Sequence, residues 1–171
     1  MENRINETYL IIGTNLGDKR INLKEAGKMI EQRIGSIIQQ SSVYETEPWG
    51  IEDQPTFYNQ VLLVQTKLDA TSVLGAISKI ETDMGRIRKE KYGSRVIDID
   101  ILFFNNDIYD SAALIVPHPR ITERNFVLAP LAEIAGNVVH PILQKSISEL
   151  WNACNDRLSV KKIDPCQTPT K

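Results

Sequence analysis

Residues 96–104, Val96-Ile97-Asp98-Ile99-Asp100-Ile101-Leu102-Phe103-Phe104, leave the backbone little choice. β-Branched and aromatic residues dominate the run, and successive side chains of a strand point to opposite faces. Strict alternation puts Ile97, Ile99, Ile101 and Phe103 on one apolar face. Asp98, Asp100, Leu102 and Phe104 then share the other, polar at its start and apolar at its end. The two carboxylates would lie about 7 Å apart along the strand. At that separation they repel by about 2–3 kcal/mol at an effective dielectric of 20, and lost hydration adds to the cost. A cation between them offsets both effects, and the oxygen chemistry suits Mg²⁺, which takes one or two carboxylates plus substrate phosphates. A strand end with two solvated acids fits the same pattern, and a D-x-D motif by itself does not separate the two.

The segment just upstream favours the metal. Residues 86–95, Arg-Ile-Arg-Lys-Glu-Lys-Tyr-Gly-Ser-Arg, hold five cations and one acid, and Gly93 and Ser94 mark a loop. A cationic loop leading into paired carboxylates is what a magnesium-bound polyphosphate needs: metal bridges phosphate oxygens to the acids, and Arg and Lys neutralise the rest. With few apolar anchors and mutually repelling charges, the loop is expected to be mobile when empty and ordered with both ligands. A solvated basic loop is the alternative.

A length of 171 residues suggests one domain, assigned to 8–157, with a polar tail expected over 158–171. Hydrophobic content of 42% and charged content of 25% are ordinary for a globular protein. The formal net charge of −2 argues against a general nucleic-acid or membrane-surface binder. No apolar run approaches the roughly 18 residues of a membrane span, and the first residues lack the apolar core of a signal peptide. Cys154 and Cys166 have no C-x-x-C spacing and read as thiols of a reducing cytoplasm.

Along the chain, residues 8–12 form a first strand and 13–19 a strand-to-helix turn, with Asp18 as helix cap. Gly13 and Gly17 are too close for a Walker A loop. Leu23, Ala26, Ile30 and Ile34 make a helical stripe that Gly35 stops. Residues 36–46 return as strand, 47–55 as a Pro- and Gly-containing loop, and 57–67 as another strand. Trp49 in that loop is either packed down or a ligand-facing wall. Asn59 is either a satisfied core amide or a ligand contact. Asp69 caps a second helix with Val73, Ile77, Ile80 and Met84 buried and Gly85 at its end. The order strand, helix, strand, strand, helix, strand is that of a ferredoxin-like α+β fold, βαββαβ, with a mainly antiparallel sheet and helices packed on one face. Beyond it come a hairpin turn at 105–107, an extended 114–116, a helix starting near Pro130, and a capping box, Ser146-x-x-Glu149, that opens a last helix. His140 reads as structural.

Six pieces in order resemble the 6-hydroxymethyl-7,8-dihydropterin pyrophosphokinase family of folate biosynthesis: Gly13-Thr14-Asn15-Leu16-Gly17; residues 42–50; Gln54-Pro55-x-Phe57-Tyr58-Asn59; Glu81-x-x-x-Gly85-Arg86-x-Arg88 running into Tyr92-Gly93-x-Arg95-x-Ile97-Asp98-Ile99-Asp100; Val116-Pro117-His118-Pro119-Arg120; and Glu123-Arg124-x-Phe126. The resemblance covers about Tyr9 to Trp151. It implies transfer of an intact pyrophosphate from MgATP to a pterin hydroxymethyl group, releasing AMP. It also implies two Mg²⁺ ions on Asp98 and Asp100, with Arg86 and Arg95 as catalytic cations of a loop that closes on the phosphates. ATP-binding is implied for Arg86, Arg88, Lys89, Tyr92, Arg95, Ile101, His118 and Arg124. Pterin-binding is implied for Thr46, Glu47, Trp49, Phe57, Asn59 and Phe126. The family often has Trp where this chain has Tyr92, in a loop one residue longer. The partners implied are small molecules, with no obligatory protein partner, nucleic acid or membrane. Two other readings share the strand order. A ligand sensor would not need the acids together with five cations, and an RNA module would want aromatic residues where the acids stand.

Overall fold

The computed structural model describes residues 4–50, 53–85 and 95–163. β1 (Asn6–Thr14) enters α1 (Lys19–Arg33) through a turn in which Gly17 takes φ +67° and Asp18 accepts the Ile21 N–H at 3.1 Å. Leu23, Ala26 and Ile30 are buried as the periodicity requires. The role of Gly35 is not that of a helix stop. It opens β2 (Gly35–Gln40), and a Cβ there would stand 1.9 Å from the Gln65 carbonyl oxygen, so the residue is glycine because two strands meet over it.

The strand expected over 36–46 is two. β2 is followed by β3 (Tyr44–Thr46), and both pair with β4 (Phe57–Thr66). Ser41 makes the break: its hydroxyl accepts the Val61 N–H at 2.9 Å in place of a backbone carbonyl. After β4, Asp69 accepts the Ser72 N–H at 2.8 Å and caps α2 (Ala70–Asp83), and Gly85 leaves it at φ +87°. β5 (Asp98–Phe104) follows. The turn at 105–107 does not close a hairpin on β5. It leads to β6 (Tyr109–Asp110), which pairs with β7 (Ile115–Val116), while Asn105 stays bonded to Glu7 of β1.

A short 3-10 turn (Ile121–Glu123) precedes α3 (Asn125–Ala135), which starts a full turn before Pro130 rather than near it. Proline there has no N–H to give the Phe126 carbonyl; burial of Val127, Leu128 and Leu131 on the sheet outweighs that loss. The expected capping box opens α4 (Ile147–Asn152). The residues assigned to a polar tail contain a strand, β8 (Val160–Lys162), which pairs with β3. Edge pairing uses backbone groups and needs no apolar alternation, so Val-Lys-Lys carried no sign of it.

The sheet order is β5-β1-β4-β3-β8, with β2 also on β4, and every pairing is antiparallel. β4 lies between the strands of the β1-α1-β2 unit, and β1 lies between those of β4-α2-β5, as two interleaved split units require. α1 and α2 cover one face over Leu10, Ile12, Leu62, Val64, Ile99 and Ile101. α3 and α4 cover the other over Ile11, Val61, Leu102 and Phe103. Strict alternation along β5 fails at its end. The β1–β5 register slips between Tyr9 and Leu10, so Phe103 joins Leu102 on the α3 face and Phe104 returns to the α1/α2 face.

One polar cluster locks α3 to β3. Glu133 accepts the Ser42 N–H at 3.0 Å, the Ser42 hydroxyl at 2.7 Å and the Tyr44 hydroxyl at 2.9 Å, with the Lys162 ammonium at 3.6 Å. Burial, then the bond to Glu133, raises the Tyr44 pKa and keeps the phenol protonated. For Glu133 itself, burial pushes upward, and the Ser42 and Tyr44 bonds and Lys162 more than offset it. Its carboxylate therefore contributes stability that is present at neutral pH and is lost as pH falls through the acid range. Glu133→Ala strands the Tyr44 hydroxyl and the Ser42 N–H. It should cost about 2–3 kcal/mol, lowering the melting temperature by roughly 4–12 °C at about 2–4 °C per kcal/mol for a chain of this size. Calorimetric melting within 2 °C of wild type would show the cluster to be dispensable.

Candidate active site

Strand register assembles the site. Gly13 of β1 pairs with Asn59 of β4 on one side and with Asp98 of β5 on the other, so the three stand in one row. Two residues along, Ile11 pairs with Asp100 and Val61. This row ends the sheet face that α3 covers. A Cβ on Gly13 would meet the Asn59 Oδ1 at 2.4 Å, so glycine lets the amide lie flat across β1. The Asn59 amide N–H donates to the Thr46 hydroxyl at 2.7 Å. Thr46 is itself placed by β3, opposite Phe57.

A cavity of about 390 Å³ opens over this row. Thr46, Glu47, Trp49, Phe57, Asn59, Arg95, Asp98, Asp100, His118, Arg124 and Phe126 all line it, as do Ile11 and Gly13. The rings of Trp49, Phe57 and Phe126 and the Asn59 amide share this lining with the charged groups. The Arg95 guanidinium bonds the Asp98 carboxylate at 2.9 Å and lies 5.8 Å from the Phe57 ring centre. Arg124 sits over the rings of Trp49 and Phe126, at 4.9 and 5.6 Å. Arg120 also lies over Trp49, at 5.6 Å, so the loop Trp49 belongs to is held by cations from the segment before α3. Trp49 is thus both packed and cavity-facing.

Sequence reasoning missed a second wall. β5 ends the sheet, and the cavity turns around its outer edge to reach Ile99 on the opposite face with Leu74, Ile77, Ser78 and Glu81 of α2. The legible signal was Glu81, a carboxylate next to Ile80 and one turn after Ile77 of the buried stripe, and only 6% exposed. Ile101 does not join the lining. It is buried among the residues packed by α1 and α2. Arg86, Arg88, Lys89 and Tyr92 lie outside the described residues, as does most of the loop expected to move.

His118 is tied to β5 by its backbone N–H, which donates to the Leu102 carbonyl at 3.0 Å. Its Nδ1 accepts the Arg120 N–H at 3.1 Å, so the neutral ring carries its proton on Nε2. Burial first, then the charges of Arg124 and Arg120, outweigh the pull of Asp98 and bring its pKa down to about 4. Such a group is a hydrogen-bond donor at pH 7, not a cation. Because the unfolded chain takes up this proton below about 6.5 and the native chain does not, stability is complete above that pH. It is lost as pH falls toward 4, by on the order of 3 kcal/mol. An NMR titration should find this imidazole neutral at pH 5.5, and a midpoint above 6 would reject the assignment.

An α/β fold with a mainly antiparallel sheet, whose cavity brings arginines, carboxylates and aromatic rings together, is that of a small-molecule enzyme. A family model, 7,8-dihydro-6-hydroxymethylpterin-pyrophosphokinase (HPPK), matches residues 9–136, and the chain belongs to this family. It is similar to the 2-amino-4-hydroxy-6-hydroxymethyldihydropteridine pyrophosphokinases of Bacillus subtilis (strain 168) and Aquifex aeolicus (strain VF5). The first is 42% identical over 134 residues, spanning 78% of this chain and 80% of the relative. The second is 40% identical over 141 residues, spanning 82% and 88%. It is also 37% identical over 157 residues to the folic acid synthesis protein fol1 of Pneumocystis carinii, 92% of this chain but 21% of that protein. Among solved structures, wild-type Plasmodium falciparum HPPK-DHPS with pteroate superposes at a TM-score of 0.73 with 22% identity, over 90% of this chain and 43% of that one, a likeness of fold. Among the described residues no helix is long and apolar enough to cross a membrane.

Proposed function

We infer that this chain transfers pyrophosphate from ATP to the hydroxymethyl group of 6-hydroxymethyl-7,8-dihydropterin, in folate biosynthesis. The observation that carries this reading is the row Asn59–Gly13–Asp98: one strand register brings an amide and a carboxylate into a single cavity lined by rings and arginines. In the reaction, the hydroxymethyl oxygen bonds to the β-phosphorus of ATP as the bond from that phosphorus to the α–β bridging oxygen breaks. AMP leaves with that oxygen, and the hydroxyl gives up its proton. Such a transfer asks a protein to place reactants and offset charge more than to react itself.

A flat pterin suits the aromatic walls, with Phe57, Phe126 and Trp49 offering ring surface. Asn59, the Thr46 hydroxyl and the backbone at Glu47 offer hydrogen bonds to its edge. Arg95, Arg124 and the Nε2–H of His118 line the cavity where phosphate oxygens would lie. The apolar surface of Leu74, Ile77 and Ile99 suits a purine ring. Arg86, Arg88, Lys89 and Tyr92 enter the proposal on sequence alone, as does a cytoplasmic location.

The donor chemistry at Asp98 and Asp100 fits Mg²⁺: two hard oxygen ligands facing a cavity with room for phosphate. Among the described residues no group of three or more His, Cys, Asp or Glu forms a metal cage, so further ligands would come from substrate and water. Mg²⁺ held there, two ions in this proposal, would offset phosphate charge.

The test is incubation with ATP, Mg²⁺ and the reduced hydroxymethylpterin. AMP and pterin pyrophosphate in equal amounts are expected; ADP in place of AMP would overturn pyrophosphate transfer.

A further inference from the structure

From sequence, the segment between β1 and α1 is a plain strand-to-helix turn. Its geometry points to more: we propose that Asn15 is a positioning residue that fixes Arg95 beside Asp98 and ties it to the segment leading into Phe57.

Asn15 is 3% exposed. Its backbone N–H donates to the Arg95 carbonyl at 3.2 Å, and its Oδ1 accepts the Arg95 N–H at 2.9 Å. The two bonds hold the peptide of Arg95 as a further ladder rung would, past the ends of β1 and β5. The same side chain turns its amide N–H groups the other way, to the Gln54 Oε1 and the Pro55 carbonyl, each at 3.1 Å. One short side chain thereby spans the two segments whose residues meet in the cavity. Arg95 reaches Asp98 at 2.9 Å on one side and lies over the Phe57 ring, two residues after Pro55, on the other.

The turn is braced for the purpose. The Asn22 amide donates to the Leu16 carbonyl at 2.7 Å and the Thr14 hydroxyl at 3.2 Å. The Lys19 ammonium donates to the carbonyl and hydroxyl of Thr56, at 3.1 and 3.2 Å, a second tie from this turn to the same segment.

Asparagine is the residue this role needs. It carries an acceptor and two donors on one planar group, whereas Asp keeps acceptors and loses both donors and Ala loses everything. A guanidinium that offsets developing charge must be held to a fraction of an ångström, and misplacement by about 1 Å can cost a hundredfold in rate. Asn15 touches neither substrate in this account; it acts through Arg95.

The inference rests on the pyrophosphokinase reading, and a kinetic cycle in one assay keeps the two apart. Asn15→Ala should lower kcat about 10- to 100-fold, with both KM values within about fivefold of wild type. Arg95→Ala should be slower still, and the double variant no slower than Arg95→Ala, because Asn15 has nothing left to position. Asn15→Asp, which keeps the acceptor toward the Arg95 N–H but loses both donors toward Gln54 and Pro55, should fall between Asn15→Ala and wild type. Where Asn15→Ala is too unstable to purify, Asn15→Ser carries the same cycle. Losses that multiply in the double variant overturn the role, as does Asn15→Asp no faster than Asn15→Ala. No AMP from the wild-type chain would instead fail the functional reading.

Discussion

Asp98→Ala and Asp100→Ala should each cut turnover on the order of a thousandfold, about 4 kcal/mol of transition-state stabilisation. Both side chains leave β5 on the cavity side, at the row of Gly13 and at that of Ile11. Removing either takes away a hard oxygen donor and half of a repelling pair, so the fold is not expected to suffer. The two variants should differ in one respect. Asp98 also receives the Arg95 guanidinium at 2.9 Å, so its loss loosens a cation as well as a metal ligand. Asp98→Asn, which keeps an oxygen acceptor and the side-chain size, should lose nearly as much, because a neutral amide is a poor ligand for Mg²⁺. Initial rates at saturating Mg²⁺, with melting temperatures alongside, decide the matter. Either alanine variant within tenfold of wild type would remove these acids from the reaction.

Phe126→Ala should weaken pterin binding about 5- to 150-fold, the equivalent of roughly 1–3 kcal/mol for one stacking surface. MgATP affinity should move much less. Phe126 stands in the first turn of α3, half-buried against the residues under that helix, so its position is set by packing and its ring edge by the cavity. Arg124→Ala should show the opposite bias. The geometry adds a refinement, since Arg124 lies over both Trp49 and Phe126. Its removal also frees two rings from a cation, and a few-fold loss of pterin affinity is expected beside the larger loss for MgATP. Titration calorimetry of both variants with each ligand reads these ratios. Equal losses for the two ligands in Phe126→Ala would make the ring a general support of the fold.

What the sequence made legible was local. Asp18, Asp69 and the Ser146–Glu149 box cap helices through bonds spanning three residues, so their spacing carries the whole signal. The acids of β5 were visible as a pair on one strand face, and the basic segment just upstream was what favoured a ligand over two solvated acids. Features that depend on distant partners were not legible. The slip that moves Phe103 to the α3 face lies in the pairing of β5 with β1, and alternation within β5 cannot reveal it. Ser41 divides β2 from β3 by bonding Val61, twenty residues on. The α2 wall of the cavity is reached around β5 because β5 is the end strand of the sheet order, a matter of topology. Thr46, Glu47, Trp49, Phe57, Asn59, Arg95, Asp98, Asp100, His118, Arg124 and Phe126 line one cavity because this sheet order gathers their segments together. Ile101, one residue beyond Asp100, points into the packed interior instead.

The short strand β8 has a consequence for how the molecule meets its own kind. An edge strand presents unpaired N–H and carbonyl groups on which another chain can build. Here the outer edge beyond β3 is taken by Val160–Lys162, a strand of three residues in which Lys161 and Lys162 are exposed. A second sheet approaching this side would gain few hydrogen bonds and bring its own backbone against two ammonium groups. The strand that braces β3 therefore also disfavours edge-to-edge pairing on this side of the sheet, by brevity and by charge.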